Sequence, residues 1–143
     1  MTRLLLDTNV ISEATKVRPD RTAQAWLASQ RLDGCFASAL TLGEIQFGIA
    51  RLSATARRNE LTRWLHGELL PAFRDRILAF DRDVALAWGE LVALAVAQGK
   101  TLPIVDSQIA ATAKAHRLTL VTRNLRDFSE LGIDLIDPWA TER

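Results

Sequence analysis

Short apolar runs of strand type alternate with helical stripes along nearly the whole of this 143-residue chain, and that alternation restricts the fold more than any other feature. Arg3 to Leu6 reads as a strand. Ala23, Trp26, Leu27 and Gln30 then share one helical face, and Gly34 to Ser38 is a short second strand. Leu42, Ile45, Ile49 and Leu52 recur at spacings of 3, 4 and 3, the period of a helix. Leu61, Trp64, Leu65 and Leu69 mark another helix, ending at Pro71. Ile77 to Phe80 is a third strand. Asp81 caps the helix that follows, whose stripe is Val84, Trp88, Leu91 and Leu94 or Ala95, and Gly99 closes it. Ile109, Ala110, Ala113 and His116 belong to a further helix. Thr119 to Thr122 is a fourth strand and Asp134 to Ile136 a fifth. Strands separated by helices pair in parallel. The order predicts an α/β fold, a three-layer α/β/α sandwich with a central parallel sheet of four to five strands.

A chain of this length buries about two-thirds of its unfolded surface, so residues 1–143 are expected to form a single domain without staples. One cysteine, Cys35, excludes an internal disulfide, fits a reducing cytoplasm and suits a buried strand position. The first apolar run is only Leu4-Leu5-Leu6, stopped by Asp7, which is no signal-peptide pattern. No apolar stretch approaches the roughly 20 residues of a membrane span. The expected location is the cytoplasm, away from membranes. The net charge of +1 decides little, because proteins held to nucleic acid by charge alone are more basic. Arginine outnumbers lysine, and its fork matches phosphate oxygens, although codon usage in a GC-rich genome has the same effect.

Four carboxylates stand at or just past the edges of apolar segments: Asp7, Glu44, Asp106 and Asp127. Asp7 closes the first strand, Asp106 follows Pro103-Ile104-Val105 as if at another strand end, and Asp127 lies beyond Leu120-Val121-Thr122. In a parallel sheet such acids share the rim where ligands bind. Converging acids repel by about 4 kcal/mol per pair at 4 Å and an effective dielectric of 20. The cluster therefore implies a bound cation or raised pKa values, and a divalent cation among oxygens suits phosphoryl transfer. Each acid also has a plain structural reading. Asp7 suits an N-cap, and so does Asp106. Thr41-Leu42-Gly43-Glu44 matches a capping box. Asp127 suits a loop cap. Gly43 and Gly48 beside Glu44 weaken a helix by about 1 kcal/mol each, which makes sense if something must come close.

The motifs Leu6-Asp7-Thr8-Asn9, Thr41-Leu42-Gly43-Glu44-Ile45, Leu102 to Ala113 and Leu120 to Phe128, in that order, resemble a PIN-domain ribonuclease of the VapC/FitB type. These are toxins of bacterial toxin–antitoxin pairs, and the resemblance covers nearly the whole chain. It implies a PIN-like sandwich and a metal-dependent endoribonuclease that leaves a 5′-phosphate and a 3′-hydroxyl. It maps the family's acids onto Asp7, Glu44, Asp106 and Asp127 as ligands, direct or through water, for Mg²⁺ or Mn²⁺. Asp7 and Asp106 are the inner ligands, Glu44 orients or activates water, and Asp127 acts through water. Thr8, Asn9, Thr122 and Asn124 would hold these groups by hydrogen bonds. The resemblance further implies a homodimer, a cognate antitoxin of the VapB/FitA kind, and operator DNA bound only through the antitoxin complex.

The remaining residues point elsewhere. His66 and His116 lie singly on separate helices and give no zinc spacing. Trp26, Trp64 and Trp88 fall on apolar stripes and read as core or subunit contacts. The Leu61–Trp64–Leu65 face suits core, dimer or antitoxin contact. Arg51, Arg57, Arg58 and Arg63 read as a solvated face, or as a contact for RNA or a partner. Two other functions compete. A catalytically weak PIN fold serving a repressor complex would not need all four acids. A phosphoacceptor receiver domain wants paired acids after the first strand and an Asp after the third.

Overall fold

The computed structural model describes residues 2–140. Five short strands form one wholly parallel sheet: β1 (Leu4–Leu6), β2 (Cys35–Ser38), β3 (Ile77–Leu78), β4 (Thr119–Val121) and β5 (Leu135–Ile136). Their spatial order is β3-β2-β1-β4-β5. The helices are α1 (Thr8–Ser12), α2 (Arg21–Ala28), α3 (Ala39–Ala50), α4 (Thr55–Trp64), α5 (Leu70–Phe73), α6 (Arg82–Ala97), α7 (Ile104–Ala115) and α8 (Leu125–Phe128).

Side chains of a strand alternate between faces, and here the alternation feeds two cores. Leu4 and Leu6 join Val10, Ile45, Ile49, Leu65 and Phe73 on one face of the sheet. Leu5 and Leu120 join Leu91, Ile109, Phe128 and Leu131 on the other. The expected three layers are present. Among the described residues no helix is long and apolar enough to cross a membrane.

Five expectations need correction. Pro103-Ile104-Val105 is not strand-like: Ile104 is 67% exposed and opens α7, so Asp106 lies in the first turn of a helix. An acid there suits the positive end of the helix dipole. Neither it nor Asp127 is a cap; Asn124 caps α8. Thr41 and Glu44 do not form a capping box, because β2 runs straight into α3 and the hydroxyl of Ser38 accepts the N–H of Leu40 at 3.0 Å. Pro71 does not end its helix. A π-helical turn (Leu65–Leu69) carries α4 into α5, with Pro71 in the tolerant first turn, and the chain reverses at Arg74. Asp81 caps α6 through the N–H of Val84 at 3.0 Å, and Gly99 follows that helix with φ +77. The stripe of α6 closes with Ala95, leaving Leu94 exposed.

Candidate active site

Chain connections leave β1 and β4 in opposite directions, so a crevice opens between their C-terminal ends. Asp7 stands there, 4% exposed. Its backbone N–H donates to Val121 O at 2.9 Å. One carboxylate oxygen caps α1, accepting the N–H of Thr8 at 2.8 Å, and the other accepts the hydroxyl of Thr122 at 2.7 Å. Cap and rim acid are thus one residue. Burial pushes its pKa up against the pull of the Thr122 and Thr8 donors, and the charge of Glu44 adds to the rise. Carboxylate oxygens each keep a second lone pair.

The hydrogen bonds continue along the rim. Thr122 accepts the N–H of Asn124 at 3.1 Å, and the Asn124 amide donates to Asp127 Oδ2 at 2.9 Å. Asp7 and Asp127 are therefore joined through Thr122 and Asn124. On the other side, Thr8 Oγ1 lies 2.5 Å from Glu44 Oε1 and 3.0 Å from the hydroxyl of Thr41. With one proton to give, Thr8 donates to the carboxylate and takes the proton of Thr41. Thr41, fully buried one turn before Glu44, escaped the sequence reading, which assigned it to a cap. Its position one turn before Glu44 was the available signal. Asn9 is exposed on α1 and makes no described bond to an acid.

Asp106 differs from the other three. Among the described residues no donor reaches its carboxylate. Burial and the charges of Asp7, Glu44 and Asp127 push its pKa up to about 6. Its helix start is fastened from the side: Trp88 Nε1 donates to Ser107 Oγ at 2.9 Å, and that hydroxyl donates to Ile104 O at 2.6 Å.

Among the described residues no three His, Cys, Asp or Glu side chains close into a cage for a metal ion. The donor set still fits a hard cation. All four groups are carboxylates, one of them has no protein donor, and their mutual repulsion is felt at Asp106. Mg²⁺ keeps several waters and asks for few protein ligands. The other candidates lie away from this rim. His116 ends α7 opposite Asp106, and buried Cys35 begins β2 with its thiol 3.4 Å from Arg31 O. Asp81, the acid after β3, is a helix cap, which removes the receiver-domain pattern. Arg57 and Arg58 tie loops, donating to Thr15 O and to Ala50 O and Leu52 O. Leu65 is core, whereas Leu61 and Trp64 line a groove beside Glu44.

Thr122→Val keeps shape but removes both the proton that Asp7 accepts and the oxygen that accepts the N–H of Asn124. A buried carboxylate left short of a donor costs about 1–3 kcal/mol. Denaturant unfolding at pH 7 is expected to show that loss, and Thr122→Ser to recover most of it. A valine variant as stable as the parent would remove Thr122 from this role.

A parallel sheet with four acids at its switch point defines a class, and the comparisons agree with it. The PIN domain family model matches residues 4–133. The chain belongs to the PIN-domain family, and within it to the VapC/FitB type. The VapC ribonuclease Y4jK of Sinorhizobium fredii is 42% identical over 136 residues, 95% of this chain and 97% of that protein. Toxin FitB of Neisseria gonorrhoeae is 39% identical, covering 95% of this chain and 98% of the toxin. The structure of FitAB bound to an IR36 DNA fragment matches with a TM-score of 0.93 at 37% identity, covering 98% of each chain.

Proposed function

We propose that this chain is a cytoplasmic endoribonuclease dependent on Mg²⁺ or Mn²⁺, the toxin of a bacterial toxin–antitoxin pair. The observation that carries this reading is the meeting of Asp7, Glu44, Asp106 and Asp127 at one crevice, close enough for three of them to raise the pKa of the fourth. Relatives named ribonuclease and toxin support it. Asp7 and Asp106 would hold the cation, with Asp127 acting through water. When bound, the cation supplies Lewis-acid stabilisation of negative charge on the phosphate and lowers the pKa of nearby water.

The chain's own residues set the geometry. Thr122 and the N–H of Thr8 fix both oxygens of Asp7. Thr8 fixes one oxygen of Glu44, leaving the other to orient the attacking water and take its proton. Hydrolysis joins the water oxygen to phosphorus and breaks the bond to the 3′ oxygen, which takes a proton from solvent water and leaves as a hydroxyl, while the proton held by Glu44 returns to solvent. An antitoxin of the VapB/FitA kind would block the site, with Leu61 and Trp64 in its contact. Operator DNA would be bound through that complex, and the toxin would pair as a homodimer.

Purified chain is expected to cut RNA internally in Mg²⁺, to stop in excess chelator, and to resume when Mg²⁺ or Mn²⁺ is restored. Sequenced ends should carry 5′-phosphates. Equal cleavage in chelator would overturn the metal-dependent reading.

A further inference from the structure

Helix α3 brings more than Glu44 to the rim. Phe47, one turn further along the same flank, is 67% exposed. Arg51, a turn beyond, sets its guanidinium 5.4 Å from the centre of that ring. Among the described residues no carboxylate lies within ion-pair reach of Arg51. An exposed phenyl ring gives up the stabilisation that burial supplies. Gly43 and Gly48 flank Glu44 on the helix surface. A Cβ at either would meet nothing within 4 Å, so no neighbour within the fold requires these glycines. The space they leave opens outward. Gly48 and Glu44 share a groove of about 310 Å³ with Thr8, Arg57 and Trp64.

We propose that Phe47 is a positioning residue that stacks an unpaired base of single-stranded RNA beside Glu44, with Arg51 facing the adjoining phosphate. The inference rests on the endoribonuclease reading above and names how the substrate is gripped. Four acids repel an RNA backbone, so the strand needs a hold outside them. A neutral ring supplies one without adding a cation that would pair with Glu44. Every base has a π face, so a stack of this kind tolerates many sequences. A guanidinium lying along the ring remains free to pair with phosphate.

The test measures binding of a fluorescein-labelled unpaired oligoribonucleotide to the full chain carrying Asp106→Asn, which prevents cutting. Adding Phe47→Ala is expected to weaken binding about 5- to 150-fold, the effect of losing one base–aromatic stack. Adding Phe47→Leu should fail to restore it. Adding Phe47→Trp should restore it and give tryptophan emission that RNA quenches beyond the parent's response. In the cleaving chain, Phe47→Ala should act mainly on KM. Unchanged binding by Phe47→Ala, in a parent that binds and a wild type that cleaves, overturns the assignment of Phe47 alone. So does a change of self-association on sedimentation with RNA binding intact, which would make the ring a contact between copies. No binding by the parent and no cleavage by wild type overturns the endoribonuclease reading, and this inference with it.

Discussion

Replacing Asp106 with asparagine is expected to abolish RNA cleavage and, at the same time, to raise the thermal midpoint of the metal-free protein at pH 7. The two effects have one source. The folded pKa of Asp106 is raised to about 6 by burial and by the charges of Asp7, Glu44 and Asp127. A raised folded pKa contributes stability that is fully present below the unfolded value and is lost as pH rises through the folded one. The metal-free protein therefore loses this contribution between roughly pH 4 and pH 6. At about 1.4 kcal/mol per tenfold, the ceiling is near 3 kcal/mol. The carboxyl is only partly buried and solvent screens its neighbours, so about 1 kcal/mol is expected, or about 3 °C. The amide of the Asp106→Asn variant carries no charge and escapes the penalty. The gain should vanish at about pH 4, where the parent carboxyl is protonated. Mg²⁺ should raise the midpoint of the parent more than that of the variant, because only a ligand of the folded state stabilises it. Melting curves at pH 4 and pH 7, with and without Mg²⁺, separate these effects. A variant that melts below the parent at pH 7 would show that the four carboxylates do not repel as described.

The sequence carried the sheet well and the site unevenly, for identifiable reasons. Leu4 to Leu6, Leu120 and Val121 are covered on both faces by their neighbours, so their apolar character survives any register. Short strands with acids after them also show where the rim lies. Pro103-Ile104-Val105 misled because β-branched residues after proline look extended. Only the tertiary fold shows that Ile104 faces solvent and that a helix has already begun. Thr41 misled for a related reason. Its spacing to Glu44 is that of a cap and equally that of two side chains one helical turn apart. The choice is made by Ser38, which caps first, and by Thr8, 33 residues away in sequence from Thr41. Local spacing cannot carry a bond between separate elements. The link from Asp7 to Asp127 is half legible: Thr122 and Asn124 stand in one strand-end motif, but Asp7 lies 115 residues from Thr122.

The same rim separates the acids by the effect each should have when neutralised. Asp7→Asn is expected to lower cleavage on the order of 10³-fold or more, the scale of several kcal/mol of charge stabilisation. The fold should survive, because asparagine caps a helix as well as aspartate and its side-chain oxygen still accepts the N–H of Thr8. The amide's NH₂ then faces Thr122, whose hydroxyl reverses to accept. Asp127→Asn should lower cleavage only about 10- to 100-fold, the range for groups acting through another ligand or water. Asp127 sits on the short α8 rather than at a strand end, half-buried, with one oxygen already engaged by Asn124. Its charge reaches Asp106 as the smallest of the three neighbours' contributions. Steady-state cleavage of one RNA by both variants, purified identically and matched in thermal midpoint, tests the ranking. Equal losses in the two variants would place Asp127 on the same footing as Asp7, and a larger loss in Asp127→Asn would reverse the roles argued from burial and hydrogen bonding.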